Sequence, residues 1–377
     1  MIVPGLALVS LVVWVGLVLV HDGFWLARET DFEAVPSPDA WPTVTAVVPA
    51  RDEVDVIARA IGSLAAQEYP GDFRIVLVDD GSTDGTADAA RAVGGDRLTV
   101  IAGTTPPAGW TGKLWAMRNG VEHAGATPAY VWFTDADIEH APDTLRTLVA
   151  RSIHDGLAMN TLMAELRCES LAEKGLIPAF VFFFQMLYPF ARVNRPRSKM
   201  AAAAGGCMLV QRTALEAAGG VAVIADAIID DVSLGKALKK QGPIRLQLTR
   251  RSVSIRPYGG WREIGAMISR SAYAQLRYSP VILLGTLAGM MLVYVDPLLF
   301  ALLARGPAQW AGLASWALMA LSFQPMLRFY RRSAVWGPLL PFIGLFYAGA
   351  TFMSAWHHWQ GRGGMWKGRA QAHVGSR

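Results

Sequence analysis

The chain has 377 residues, 53% of them hydrophobic, a formal net charge of +5, a pI near 9.3 and a mean hydropathy of +0.30. That hydropathy excludes a purely soluble enzyme of this length, and two cysteines, Cys168 and Cys207, are too few for a disulfide framework. The basic balance, taken with apolar runs at both ends, points to anionic lipid head groups or phosphorylated substrates rather than nucleic acid.

In chain order, Ile2 to Val20 carries no charge, and a helix of that length spans roughly 30 Å of hydrocarbon at about 1.5 Å per residue. It lacks the basic start and small-residue cleavage site of a signal peptide, so residues 1–22 are expected to be an uncleaved anchor. Charged residues then concentrate between Arg28 and Arg277, and residues 40–278 are expected to form a water-soluble domain.

Within that domain, strands and helices alternate. Thr43–Pro49, Phe73–Val78, Leu98–Ile101 and Ala129–Thr134 are short apolar or β-branched runs. Asp55–Glu68 spaces Ile57, Ile61 and Leu64 as one helix face, Thr83–Val93 is a second helix capped by Ser82 or Thr83, and Leu114–Ala124 is a third. This alternation predicts an α/β fold with a mainly parallel sheet, whose ligands bind beyond the carboxyl ends of the strands. Leu176–Phe190, aromatic and holding two prolines, is expected to be either buried core or a helix lying in a membrane interface.

Beyond the soluble domain, residues 279–357 are expected to hold about three membrane segments, carried by Tyr278–Val295, Gly306–Leu327 and Ser333–Trp356. Asp296-Pro297 is expected to end the first of these runs or to kink it into a re-entrant segment. Arg328, Arg331 and Arg332 place the loop before the last run in the cytoplasm. The basic tail, 358–377 with Arg362, Lys367 and Arg369, falls on the opposite side in a plain four-span count, and a re-entrant segment removes that conflict.

The chemistry sits at predicted strand ends. Asp135-Ala136-Asp137 follows an apolar strand, and two carboxylates so placed can address one hard cation, Mg²⁺ or Mn²⁺, leaving coordination sites for substrate phosphates. Val78-Asp79-Asp80-Gly81-Ser82-Thr83-Asp84-Gly85-Thr86 delivers two acids into a glycine turn, where they can accept from a nucleobase or ribose or simply cap the turn. Pro49-Ala50-Arg51-Asp52-Glu53 ends the first strand and can edge a nucleotide.

Gly109-Trp110-Thr111-Gly112-Lys113 offers close backbone approach and a point charge for a diphosphate, without P-loop spacing. Asp230-Asp231 at a helix start supplies a general base for an acceptor hydroxyl, or a helix cap. Gly205-Gly206 suggests close packing beside a substrate, while Cys207 has no nearby His and is not expected to be a catalytic thiol. Arg277 can meet a diphosphate or snorkel to head groups.

These strings, in this order, resemble the family 2 glycosyltransferases of the GT-A fold, a Rossmann-like, mixed but mainly parallel sheet. The Gly109–Lys113 string and the anchor-plus-C-terminal-helices layout further resemble the hopene-associated subgroup. The resemblance implies a membrane-bound inverting glycosyltransferase using a nucleotide-diphosphate sugar, with UDP as the expected nucleotide. It places Pro49, Ala50, Arg51, Glu53, Asp79, Asp80, Lys113, Asp135 and Arg277 around the donor, Asp137 and Asp135 on the metal, and Asp231, aided by Asp230, as general base. A lipid acceptor, a hopanoid-like polyol in that subgroup, and a multi-pass inner-membrane location with the catalytic domain facing the cytoplasm follow from it.

Two departures matter. The Gln-x-x-Arg-Trp string of processive members is reduced to Ala274, Arg277 and Tyr278, which weakens polymer synthesis against single transfer. The usual Glu-Asp pair is Asp230-Asp231, one carbon shorter at its first acid. A processive polysaccharide synthase and a non-enzymatic nucleotide- or lipid-binding membrane protein are the alternatives.

Overall fold

A computed structural model describes residues 2–361 together with 365–366 and 369–370. The expected basic tail therefore lies largely outside the described residues, Arg362 and Lys367 included. The chain forms two compact units: one comprises Met1–Arg28, Cys168–Ala191 and Tyr258–Gly364, the other Glu29–Arg167, Arg192–Pro257 and Met365–Arg377. The helix around Leu176–Phe190 and the stretch after Tyr258 group with the apolar helices.

The unit built on Glu29–Arg167 and Arg192–Pro257 holds an eight-stranded mixed sheet. Its strands are β1 (Val44–Ala50), β2 (Phe73–Asp79), β3 (Leu98–Ala102), β4 (Tyr130–Thr134), β5 (Ile138–His140), β6 (Met159–Leu166), β7 (Cys207–Gln211) and β8 (Ile244–Ser254), in the order β3-β2-β1-β4-β7-β6-β8-β5. β1 pairs parallel with β2 and β4, and β2 with β3. β7 runs antiparallel to β4 and β6, β6 runs parallel to β8, and β5 antiparallel to β8.

All seven residues of β1 are buried, as befits a strand covered on both faces. Helix Val54–Ala65 buries Ile57, Ile61 and Leu64 against it, one core with Ala46, Val48, Ile75, Leu77 and Trp132. Each of those aliphatic side chains contributes about 1.5–3 kcal/mol by leaving water. Helix Gly112–Ala124 lies across β1 and β2 and is capped by Thr111, whose hydroxyl accepts the Leu114 N–H. Strand order reverses at β1, with β2 on one side and β4 on the other, so a crevice opens past the carboxyl ends of these strands.

The second predicted helix starts later than expected, at Thr86. Its cap is Gly85 at φ 94° rather than Ser82 or Thr83, because Asp84 turns back to accept the Thr86 N–H and hydroxyl.

The other unit is helical. Helix Leu171–Leu187 starts with a capping box of Ser170 and Glu173 and buries Leu176, Ile177, Val181 and Phe182, as the buried-core reading of this segment requires. Phe182 packs against Phe24, Phe183 and Phe323.

Among the described residues one helix, Pro280–Leu303, is long and apolar enough to cross a membrane, with a mean hydropathy of 1.9; Val3–Leu19 is apolar but shorter. Of the expected segments, Pro307–Phe329 and Leu340–Trp359 are helices that fall short of that hydropathy, diluted by residues such as Gln309, Gln324, His357 and His358. Asp296-Pro297 does not end the first run. The helix continues to Leu303 through a π-helical turn, Met291–Val295, which accommodates the missing N–H of Pro297.

Candidate active site

Three strand ends deliver the acids. β2 ends on Asp79, and Asp80 follows it with its N–H donated to the Ala50 carbonyl at the end of β1, 2.9 Å away. Asp135 and Asp137 follow β4 in the turn leading to β5. Pro49 and Ala50 are buried strand residues, so what they can offer a ligand is backbone.

The turn after β1 and the turn after β2 are knitted together. Arg51 donates to the Asp80 carbonyl and lies 3.6 Å from its carboxylate. Asp52 takes the left-handed backbone, φ 50°, and its Oδ1 accepts the Thr83 N–H at 2.9 Å. Glu53 N–H donates to Thr86 Oγ1 at 2.8 Å and Val54 N–H to Asp84 Oδ2 at 3.0 Å, which satisfies the open donors at the start of helix Val54–Ala65. Asp79 accepts the Ser82 N–H at 3.0 Å, the turn-capping contact its sequence context allows.

The second cluster joins segments far apart in the chain. Lys113 Nζ stands 2.8 Å from Asp135 Oδ1 and 3.0 Å from Asp230 Oδ2. Burial alone would lower the ammonium pKa, but the two carboxylates override it and hold the pKa above its ordinary value, so Lys113 stays charged. Gly205 N–H donates to Asp231 Oδ2 at 3.1 Å, and a side chain at Gly205 would sit 3.6 Å from Lys113 Nζ. Asp231 is raised to about 7, by burial first and then by the charge of Asp230, against the opposing pull of the Val232 and Gly205 N–H groups and Lys113. A carboxylate poised near neutrality can take a proton from a hydroxyl. At the start of its helix Asp230 faces Lys113, while Asp231 accepts the Gly205 N–H with one oxygen and the Val232 N–H, at 2.7 Å, with the other.

One member of the site was not legible in the sequence. Arg256, two residues past β8, donates Nε to Asp137 Oδ2 at 2.8 Å and Nη2 to both oxygens of Glu53 at 2.7 Å. The faint signal was a lone arginine between Ile255 and Pro257 at a strand end. Glu53, expected at the donor, thus presents its carboxylate to Arg256.

Arg277 belongs to the helical unit, exposed in a left-handed turn at φ 53°. Cys207 is fully buried under the Trp132 indole N–H, and burial pushes its thiol up to about 12, which keeps it protonated and unreactive.

A divalent cation suits these donors. Asp135 and Asp137 stand on one turn, where Asp135 Oδ1 meets Lys113 and Asp137 Oδ2 meets Arg256. Among the described residues no cluster of three or more His, Cys, Asp or Glu is arranged around a metal. Two carboxylates complemented by substrate phosphates and water are the usual Mg²⁺ arrangement.

An open, mixed α/β sheet with acids and a lysine gathered near its switch point is an α/β domain of GT-A type. Residues 45–219 match the model described as Glycosyl transferase family 2, and the chain carries a domain of that family. A 4,4'-diaponeurosporenoate glycosyltransferase of Staphylococcus aureus (strain USA300) is 35% identical over 107 residues, covering 28% of this chain and 27% of that protein. The chain thus aligns with little more than a quarter of that relative. A mannosyltransferase from Pyrobaculum calidifontis, solved in complex with GDP-Man and Mn²⁺, superposes with a TM-score of 0.57 at 20% identity, over 94% of this chain and 99% of that one, a likeness of fold.

Proposed function

We propose that this protein transfers a sugar from a nucleotide-diphosphate sugar to the hydroxyl of a lipid acceptor, with inversion at the anomeric carbon. The observation that carries the reading is Lys113, held between Asp135 and Asp230, and we read the first as the donor side and the second as the acceptor side. The acceptor oxygen attacks the anomeric carbon as Asp231 takes its proton, and in the same step the bond to the diphosphate oxygen breaks. Its electron pair leaves with the diphosphate, beside Lys113. Asp135 and Asp137 would hold a Mg²⁺ or Mn²⁺ ion, which when bound would neutralise charge on that leaving group. Asp79, Asp80 and Arg51 are assigned to the nucleoside, with uridine as the expected one.

A lipid acceptor is supported by the 4,4'-diaponeurosporenoate in the name of the Staphylococcus relative and by the helical unit itself. That unit exposes Val281, Leu284, Leu303, Trp310 and Phe342, an apolar surface suited to a bilayer. Membrane attachment with the domain on the cytoplasmic side, and a hopanoid-like polyol as acceptor, complete the proposal. Incubating the full-length protein in detergent with UDP- and GDP-sugars, Mn²⁺ and membrane lipid extracts, with products identified by mass, tests it. A lipid carrying one added sugar is expected. Asp137→Ala and Asp231→Ala proteins that turn over as fast as wild type overturn it, and a ladder of polymer masses replaces single transfer by processive synthesis.

A further inference from the structure

Asp137 is not held by its own turn alone. Its Oδ2 is taken by Arg256 Nε at 2.8 Å, and Arg256 is fixed in turn by a two-pronged contact of its Nη2 with Glu53, both oxygens at 2.7 Å. Glu53 is a buried carboxylate, its side chain 8% exposed, Asp137 is 16% exposed, and Arg256, at 33%, bridges them. Glu53 is anchored at its backbone as well, where its N–H donates to Thr86.

We infer that Arg256 is a positioning residue for the cation, with Glu53 as its anchor. With Oδ2 committed to Arg256, Asp137 can present one oxygen, Oδ1, in one orientation. Because Glu53 matches the guanidinium charge, the pair acts on Asp137 as a neutral, rigid hydrogen-bond donor and does not repel a divalent ion. Outer groups that orient a metal-binding carboxylate typically change metal affinity by about 10–100-fold when removed. The inference rests on the reading of Asp135 and Asp137 as cation ligands.

The test is Mn²⁺ binding, followed by electron paramagnetic resonance of free Mn²⁺ in the presence of UDP or GDP, on full-length protein in detergent. Arg256→Gln is expected to weaken Mn²⁺ by about tenfold or more, and Arg256→Lys, which keeps a donor and the charge, to recover part of it. Nucleotide affinity measured without metal is expected to stay at the wild-type value in both. Should Arg256→Gln fail to fold, Glu53→Gln takes its place. Gln offers Arg256 one neutral acceptor oxygen in place of a charged two-pronged one, so Mn²⁺ affinity is expected to fall in the same direction. Wild-type Mn²⁺ affinity in either folded variant, or tighter binding, overturns the inference. Unchanged Mn²⁺ binding by Asp137→Ala instead overturns the placement of the metal, and with it the proposed function, a separate result.

Discussion

Asp231 accepts the backbone N–H of Gly205 at 3.1 Å across 26 residues of sequence, and that contact fixes the acid beside the Lys113 ammonium. The bond holds one carboxylate oxygen in place while burial and Asp230 keep the group's pKa near 7. Position and proton affinity are thus set by the same few atoms, and both can be measured.

The pH dependence follows from the direction of that shift. Below about pH 7 Asp231 is protonated and cannot accept the acceptor's proton. kcat/KM is expected to rise with pH up to about 7 and then level, since this ratio reports the free enzyme. Asp231→Asn is expected to lose about 10²- to 10⁴-fold in turnover, the usual range for a general base, and to lose that limb of the profile. The sign for stability is opposite. A carboxyl whose folded-state pKa is raised favours folding while protonated, and that contribution is lost as pH rises from its ordinary value through about 7. Asp231→Asn is therefore expected to melt no lower than wild type above pH 7, as scanning calorimetry at pH 6 and 8 can check.

Lys113 serves two carboxylates at once, and its replacement separates binding from folding. Lys113→Met removes the point charge offered to the diphosphate and leaves Asp135 and Asp230 facing one another. Hydrogen bonds to charged groups contribute about 1.5–3 kcal/mol, so UDP affinity is expected to fall by about tenfold or more. Titration calorimetry with and without Mn²⁺ measures it, and unchanged affinity would remove Lys113 from the donor site.

The strands around the crevice could be read in the sequence because each is a short apolar run that stops at a charged residue. β1 stops before Arg51, β2 on Asp79 and β4 before Asp135, so these residues lie at strand ends as the sequence suggests. The antiparallel strand β7 and the late strand β8 were harder. β7 hides in an alanine- and glycine-rich stretch, and β8 alternates apolar with charged residues such as Arg250 and Arg251. Arg256 escaped notice because its partners, Glu53 and Asp137, are distant in sequence and become neighbours only when the sheet forms. The Asp296-Pro297 break misled for a local reason: proline and an acid end most helices, and a π turn that absorbs them has no sequence signature of its own.

Metal dependence can be separated from structural loss by restoring the ion. Chelation is expected to stop turnover in the wild-type protein, and Mn²⁺ or Mg²⁺ to restore it. Asp137→Ala is expected to remain inactive at Mn²⁺ concentrations that saturate wild type, while keeping its far-ultraviolet circular dichroism spectrum. Turnover by wild type that persists in excess chelator would remove the cation from the reaction.

Two glycines give opposite expectations. A methyl group at Gly120, on the helix over β1 and β2, would meet Val47 at 2.4 Å, well inside contact distance, and Val78 at 3.1 Å. Both valines are buried strand residues with no room to retreat. Overpacking of this kind typically costs about 1–3 kcal/mol, more than the roughly 1 kcal/mol by which alanine improves on glycine in a helix. Gly120→Ala is therefore expected to lower the melting temperature. A methyl at Gly205 meets nothing closer than 3.6 Å, an ordinary contact, but its neighbours are Asp231 and Lys113. Gly205→Ala is expected to melt with wild type and to turn over more slowly, because in the proposed site the added group stands beside Asp231 and Lys113. A Gly205→Ala protein that melts early and keeps its rate would mean that this turn is structural and lies outside the site.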